Sequence, residues 1–299
     1  MGSAMYQQTL FMEPFSDGPE QPTNVASVPQ RSPFRYPGGK TWLVPRFRRW
    51  MKSLDRVPRR LIDPFAGGGI LPLTAAFENL AEKIILVELD AQIAAVWQTI
   101  LSDDAAWLSR RIVDFELTPG SLQRVLESKP CSTREHAFQT ILRNRTAHGG
   151  ILAGGAGLIK NGENGKGLLS RWYPRTLAGR ISAIQQVAHK IQFRCMDGLD
   201  MIKANLSDPF AVFFIDPPYT AGGKKAGARL YDHCEIDHAL LFGICANLVG
   251  DFLMTYDNAK EVHALAARHG FETRAIAMKN SHHAVMSELL VGKNLDWMI

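Results

Sequence analysis

The chain lacks long apolar runs: its longest are strand-length, as in Ala211-Val212-Phe213-Phe214-Ile215. That is far short of the roughly 20 residues a membrane-spanning helix needs, so no membrane span is expected. Cysteine is scarce, with Cys131, Cys195, Cys234 and Cys245 scattered and no C-x-x-C pair, which argues against both a zinc site and a disulfide framework. The first thirty residues hold Glu13, Asp17 and Glu20 but no Lys or Arg, the wrong balance for the basic region of a secretory leader. These shortages together point to a cytoplasmic protein. A disordered chain is excluded by 46% hydrophobic against 21% charged residues. At 299 residues, either one large α/β domain with an insertion or two modest domains is expected.

What is abundant is segregated charge. The net charge is +5, yet residues 31–60 carry ten bases and one acid, and residues 61–109 one base and seven acids. Residues 110–194 then carry fourteen bases and five acids. Basic blocks flanking an acidic one suggest a face that meets polyanions beside a pocket that meets a cation. Solvated surfaces are the plainer account of the same pattern.

Residues 1–30, polar and rich in Pro, Ser and Gln, read as a flexible N-terminal arm. Leu61-Ile62-Asp63 is a short strand that breaks into Gly67-Gly68-Gly69, followed by a helical pattern from Leu71 to Leu80. An apolar strand from Ile84 to Glu88 and a helix from Ala91 to Leu101 come next. This β-turn-α-β-α succession opens a doubly wound parallel sheet. From 103 to 190 the rhythm changes to Arg-rich helical stretches around Gly149 to Gly167, with eight glycines in nineteen residues. Strands resume at Ile191 to Cys195, Ala211 to Ile215 and Phe252 to Tyr256, and Phe271 to Met278 with Glu288 to Val291 form a closing pair.

Three pieces carry the chemistry. Asp63-Pro64-Phe65-Ala66-Gly67-Gly68-Gly69 ends a strand and opens a helix, the place where open α/β sheets bind small molecules. It is not a dinucleotide fingerprint, because Pro72 stands at the third glycine position, and Phe34 denies Gly38-Gly39-Lys40-Thr41 the first glycine of a P-loop. Glu88, twenty-one residues after Gly67, sits at a strand end with a carboxylate suited to ribose hydroxyls. Asp216-Pro217-Pro218-Tyr219 follows the most apolar strand, and its two prolines stiffen the turn. A carboxylate, a carbonyl and a ring in fixed relation suit methylation of an exocyclic amine. Two hydrogen bonds to the amine localise its lone pair, while stacking holds the base in line. A base in a duplex must leave its stack to reach such a pocket.

At these residues the sequence resembles the Dam-type (alpha-class) DNA adenine-N6 methyltransferases, which use S-adenosylmethionine. Phe34-Arg35-Tyr36-Pro37-Gly38-Gly39-Lys40 resembles the family's N-terminal cofactor motif, Asp63 to Gly69 its main cofactor loop and Ile84 to Asp90 its ribose-binding strand end. Cys195-Met196-Asp197-Gly198 resembles the acidic turn that meets the cofactor adenine, and Asp216 to Tyr219 the catalytic tetrapeptide in its adenine form. Arg143-Asn144-Arg145-Thr146 resembles the segment before the target-recognition region, and Ser287-Glu288-Leu289-Leu290 the closing motif. The segment from Gly149 to Thr176 departs from the best-known members, so no recognition sequence carries over.

The resemblance implies an α/β fold: a doubly wound Rossmann-like methyltransferase sheet with an inserted, mainly helical target-recognition domain. Residues 31–102 and 191–299 would bind S-adenosylmethionine, and residues 103–190 would bind DNA. Asp216, Pro217, Pro218 and Tyr219 are the expected catalytic residues. Tyr36, Lys40, Asp63, Phe65, Gly67, Glu88, Asp197 and Asp216 are expected to hold the cofactor, with Tyr36 or Phe65 against its sulfonium. Arg143, Asn144, Arg145, Arg171, Trp172, Arg175, Lys224 and Lys225 are expected at the DNA, with Arg46, Arg48 and Arg49 on its phosphates. Packing of Trp172 inside the insertion is an equal alternative. No metal is required; His282-His283 has no third ligand nearby and suits either the base pocket or the surface.

The expected activity is therefore transfer of a methyl group from S-adenosylmethionine to the N6 amine of a flipped adenine in double-stranded DNA, yielding S-adenosylhomocysteine. The alternatives are a non-catalytic, cofactor-bound DNA-binding regulator, and methylation of cytosine N4 or of RNA adenine. A homodimer would suit a symmetric target, and a restriction endonuclease partner, as in a restriction-modification system, is possible but not indicated.

Overall fold

A computed structural model describes residues 25–35, 39–153, 156–162, 165–218, 236–279 and 285–298. Its centre is a seven-stranded sheet of β1 (Arg60–Asp63), β2 (Lys83–Val87), β3 (Ile191–Arg194), β4 (Ala211–Ile215), β5 (Phe252–Asp257), β6 (Glu272–Lys279) and β7 (Val285–Gly292). The order is β3-β2-β1-β4-β5-β7-β6. β1 to β5 pair in parallel, and β7 runs antiparallel between β5 and β6. The α/β fold expected from the sequence is the fold found. All five residues of β4 are buried, as a strand covered by helices on both faces requires. The chain winds outward from β1 through β2 to β3, then returns to place β4 on β1's other side. The strand ends at β1 and β4 thus form the topological switch point, where such sheets leave a crevice.

Helices cover both faces. α1 (Val44–Ser53) has Pro in its first turn and buries Val44, Phe47, Trp50 and Met51 along one stripe. α2 (Ile70–Glu78) follows β1, and α3 (Ala91–Ile100) follows β2. Asp90 caps α3, its side chain accepting from the Gln92 and Ile93 N–H groups. After α3 come α4 (Ala105–Asp114), α5 (Pro119–Glu127), α6 (Thr133–Thr146) and α7 (Pro174–Val187), then α8 (Gly198–Lys203), α9 (His238–Cys245) and α10 (Lys260–Arg268).

Two boundaries differ from the sequence expectation. The segment 103–190 is mainly helical, as expected, but it does not have a core of its own. Leu108, Ile112, Ile141, Leu142, Leu177 and Ile181 join one continuous buried cluster with Leu61, Leu73, Ile84 and Trp97. Nor is the whole of 1–30 an arm: Val28 is 4% exposed and belongs to that cluster.

Candidate active site

Strand register assembles the site. Asp63 ends β1 opposite Leu86 of β2. Glu88 stands two residues beyond that pairing, and Asp216 is the first residue after β4. Neighbouring strands lie about 4.8 Å apart, so three carboxylates line the carboxyl edge at the switch point. β5 pairs Met254 with Ile215, which sets Thr255 beside Asp216. β7 pairs Glu288 with Asp257 at the end of β5.

Asp216 is held firmly. The Thr255 hydroxyl donates to its Oδ1 at 2.7 Å, and Lys40 Nζ lies 3.0 Å from the same oxygen. Lys40, 4% exposed, also stands 3.6 Å from Glu288 Oε2. Burial pulls the Lys40 ammonium down, but Asp216 and Glu288 outweigh it and leave it above its ordinary value. Burial pushes the Glu288 carboxyl up to about 7, with Lys40 opposing. Asp63, 2% exposed, is held well above its ordinary range by burial and then by Asp216, although the Phe65 N–H donates to it at 3.2 Å. Asp216 and Glu288 thus share one ammonium while Asp63 stands beside Asp216 without it, an arrangement that favours a further positive charge.

Glu88 organises the glycine loop. Its carboxylate accepts from the Gly67 N–H at 3.0 Å, Leu89 N–H at 2.9 Å and Asp90 N–H at 3.0 Å. Burial nevertheless pushes its carboxyl up to about 7. A carboxylate offers about four acceptor positions, so room remains for one hydroxyl. Trp97 Nε1–H donates to the Gly67 carbonyl at 3.0 Å and fixes the loop from behind. Asp197 caps α8 through Leu199 and Asp200 N–H groups, and its carboxylate is exposed. The next residue must be glycine: a Cβ on Gly198 would collide with the Pro64 carbonyl and sit 2.8 Å from the Phe65 ring. Asp63, Phe65, Gly67, Glu88, Asp197 and Gly198 therefore form one continuous wall. Crowded acids, a ring and two carboxylates set for hydroxyl and amine donors fit a cationic nucleoside such as S-adenosylmethionine.

The residues expected at DNA divide. Asn144 is fully buried: its Nδ2 donates to the Arg35 carbonyl at 2.8 Å and to the Gly150 carbonyl at 2.7 Å, and its Oδ1 accepts from the Arg35 N–H at 2.9 Å. It is a clamp for the segment that leads to Lys40, which corrects its place at the DNA. Trp172, 8% exposed, packs edge-on against Phe115 with centroids 6.2 Å apart, so it fills the core rather than a groove. Arg145 is 5% exposed and donates to the Pro33 carbonyl. Arg143 is half-buried with a hydrogen bond to Gln92, Arg171 is half-buried, and Arg175 is exposed. Arg46 is buried at 3% exposure, and Arg48 is spent on Glu78, bonded through Nε and Nη2 at 2.7 Å each. For Arg46 and Arg145 the cause is that arginines beside apolar stripes pack their stems inward.

Pro217 is buried and Pro218 half-buried beside Asp216. Tyr36, Tyr219, Lys224, Lys225, His282 and His283 lie outside the described residues. Among the described residues no three His, Cys, Asp or Glu side chains are grouped as a metal ion would need, and no helix is long and apolar enough to cross a membrane. Sequence reasoning missed Thr255 and Trp97 as site residues. A lone hydroxyl near the end of an apolar strand was the available signal for the first; nothing marked Trp97, which reads as ordinary core.

No protein-family model and no characterised protein sequence matches the chain. Solved structures with similar chain paths include PH1948 of Pyrococcus horikoshii, described as a candidate RNA methyltransferase. It is 10% identical, covering 90% of this chain and 92% of that one with a TM-score of 0.40. The rRNA methyltransferase aviRa of Streptomyces viridochromogenes is 18% identical over 87% of each chain, with a TM-score of 0.39. M. capricolum TrmK, in complex with S-adenosylhomocysteine, is 8% identical over 84% of this chain and 68% of that one, with a TM-score of 0.37. At these levels the likeness decides neither reaction nor substrate.

Proposed function

We propose that the protein is an S-adenosylmethionine-dependent methyltransferase acting on the N6 amine of adenine in double-stranded DNA. The observation that carries this reading is the placement of Asp216. It stands at the switch-point end of β4, fixed through Oδ1 by Thr255 and Lys40, beside a glycine-loop wall suited to a cationic nucleoside. When bound, S-adenosylmethionine supplies an electrophilic methyl group. Asp63, Phe65 and Gly67 would hold its methionine and sulfonium end, Glu88 its ribose and Asp197 its adenine amine.

The chain's own part is orientation. An aryl amine is a poor nucleophile because its lone pair is delocalised into the ring. A carboxylate locked at Asp216 accepts one amine hydrogen and the Pro217 carbonyl the other, which turns the lone pair toward the methyl donor. Thr255 and Lys40 position Asp216 for this, and Pro217 and Pro218 stiffen the turn behind it. The basic helices of residues 103–190 would meet the nucleic-acid backbone. The test is to incubate the protein with isotopically labelled cofactor and, in separate reactions, mixed genomic DNA and total RNA, then identify the modified nucleoside by mass. N6-methyldeoxyadenosine supports the reading. Label on cytosine, on RNA alone or on no nucleic acid replaces it with one of the alternatives.

A further inference from the structure

A row of charged side chains leads away from Asp216 on the side opposite the glycine loop. Asp216 Oδ1 stands 3.0 Å from Lys40 Nζ, and the same Nζ stands 3.6 Å from Glu288 Oε2. Lys40 opens the turn that leads into α1. Glu288 is 6% exposed, and its buried Oε2 accepts no hydrogen bond among the described residues. That oxygen is therefore an acceptor within a small swing of the lysine. Asp257, half-buried at the end of β5, lies directly opposite Glu288 across the β5–β7 pair. Residues paired in this way share a face, with Cβ atoms about 4.5–5.5 Å apart. On its other side Glu288 meets the apolar Ile276 of β6. The charges that face it from the neighbouring elements are Lys40, Asp216 and Asp257.

This setting suits a carboxyl that carries a proton part of the time. Like charges directly opposite on a sheet repel, and a buried carboxylate whose nearest cation lies closer to another acid favours its neutral form. Burial raises Glu288 most, Lys40 pulls it back, and Asp216 and Asp257 raise it again, to about 7. Lys40 itself is held above its ordinary value by the two acids despite burial, so it passes a proton on only as it takes one up. The proposed reaction produces such a proton. When the amine nitrogen bonds to the methyl carbon, the carbon–sulfur bond breaks and its electron pair stays on sulfur. The nitrogen is left with a positive charge and one hydrogen too many. Asp216, the acceptor for that hydrogen, takes the proton and must lose it before it can grip another amine.

We infer that Lys40, Glu288 and Asp257 form a proton exit from the reacting centre. Asp216 gives its proton to Lys40 as Lys40 gives one of its own to Glu288, and Glu288 releases that proton past Asp257 to water. Asp216 and Lys40 end charged as they began. Glu288 and Asp257 do not touch the substrate and act through Asp216. This rests on the amine methylation proposed above, and on neither DNA nor RNA as the carrier of the amine.

The first test needs no cofactor. Infrared spectra of the full chain should show a carboxylic-acid carbonyl band that is present at about pH 6 and fades through about pH 7. Glu88 contributes a similar band, so the signal is the part that Glu288→Gln removes. Asp257→Asn, which deletes the facing charge, should move that part to lower pH. The second test follows a single turnover on duplex DNA or total RNA, whichever accepts label, with methyl transfer and proton appearance recorded together by an indicator dye. At about pH 8 wild type should release one proton per methyl in step with transfer. At about pH 6, where Glu288 already holds a proton, release should lag transfer about tenfold. Glu288→Gln should transfer methyl within about twofold of wild type and show the lag at both pH values. A merely structural role would slow the transfer and leave the two signals together.

Proton release in step with transfer in Glu288→Gln, or an infrared band that Glu288→Gln leaves whole, overturns the exit and leaves the methyl transfer standing. No methyl transfer by wild type to either nucleic acid overturns the proposed activity, and the exit with it.

Discussion

Thr255 is buried, uncharged and absent from every motif, yet it orients the carboxylate on which the proposed chemistry turns. Thr255→Val keeps the shape and deletes the donor. It should lower the rate of methyl transfer about tenfold and leave affinity for S-adenosylhomocysteine unchanged; an unaltered rate would remove Thr255 from the positioning role. Glu288 acts through Lys40 from the other side, and its carboxyl is carried from 4.5 up to about 7 by burial. The folded chain therefore holds a proton that the unfolded chain releases. The stability tied to it is full below about pH 4.5 and is lost as pH rises through about 7. Glu288→Gln, which mimics the protonated form, should gain stability relative to wild type between about pH 5 and pH 7.5 in urea melts. A difference that is flat with pH would place the carboxyl in ordinary solvent.

Elements act by bringing distant segments into contact. α6 delivers Asn144 to the backbone of Arg35 and to Gly150, joining the helical layer to the chain that leads into Lys40. Asn144→Ala would leave one N–H and two carbonyl groups without that partner, at a cost of about 3 kcal/mol in chemical denaturation. A loss below about 0.5 kcal/mol would mean water replaces the amide. The elements were the most legible part of the sequence. β4 matches its apolar run residue for residue, and α3 starts at Ala91, where the apolar pattern placed it. The direction of arginine and asparagine side chains was not legible. Asn144 and Arg145 stand in a basic stretch that fits a surface in the sequence, while the phase of α6 turns them inward, and Trp172, in the turn before α7, packs against Phe115. Likewise Asp63, Glu88 and Asp216 could be recognised singly by their strand ends, but Lys40 bridging Asp216 and Glu288 depends on register across β5 and β7, which spacing along the chain does not specify.

On the scale of the molecule, the shared core makes the helical layer and the sheet one folding unit. Ile141 of α6 is fully buried in the cluster that holds Leu73, Ile84 and Trp97. Ile141→Ala should cost about 2–5 kcal/mol and shift a single transition seen alike by tryptophan fluorescence and circular dichroism. Two separated transitions would show that residues 103–190 fold independently. The acids at the switch point and the arginines of α6 and α7 thus sit on elements that share one core, so the alternating charge blocks of the sequence are brought onto one packed body.

The most direct measurement is single-turnover methyl transfer to an adenine-containing duplex by wild type and Asp216→Asn, with S-adenosylhomocysteine affinity measured calorimetrically on the same samples. The account predicts affinities within about threefold of each other and a transfer rate reduced by at least about a hundredfold in the variant. Transfer at the wild-type rate by Asp216→Asn, with the cofactor product bound equally well, would contradict it.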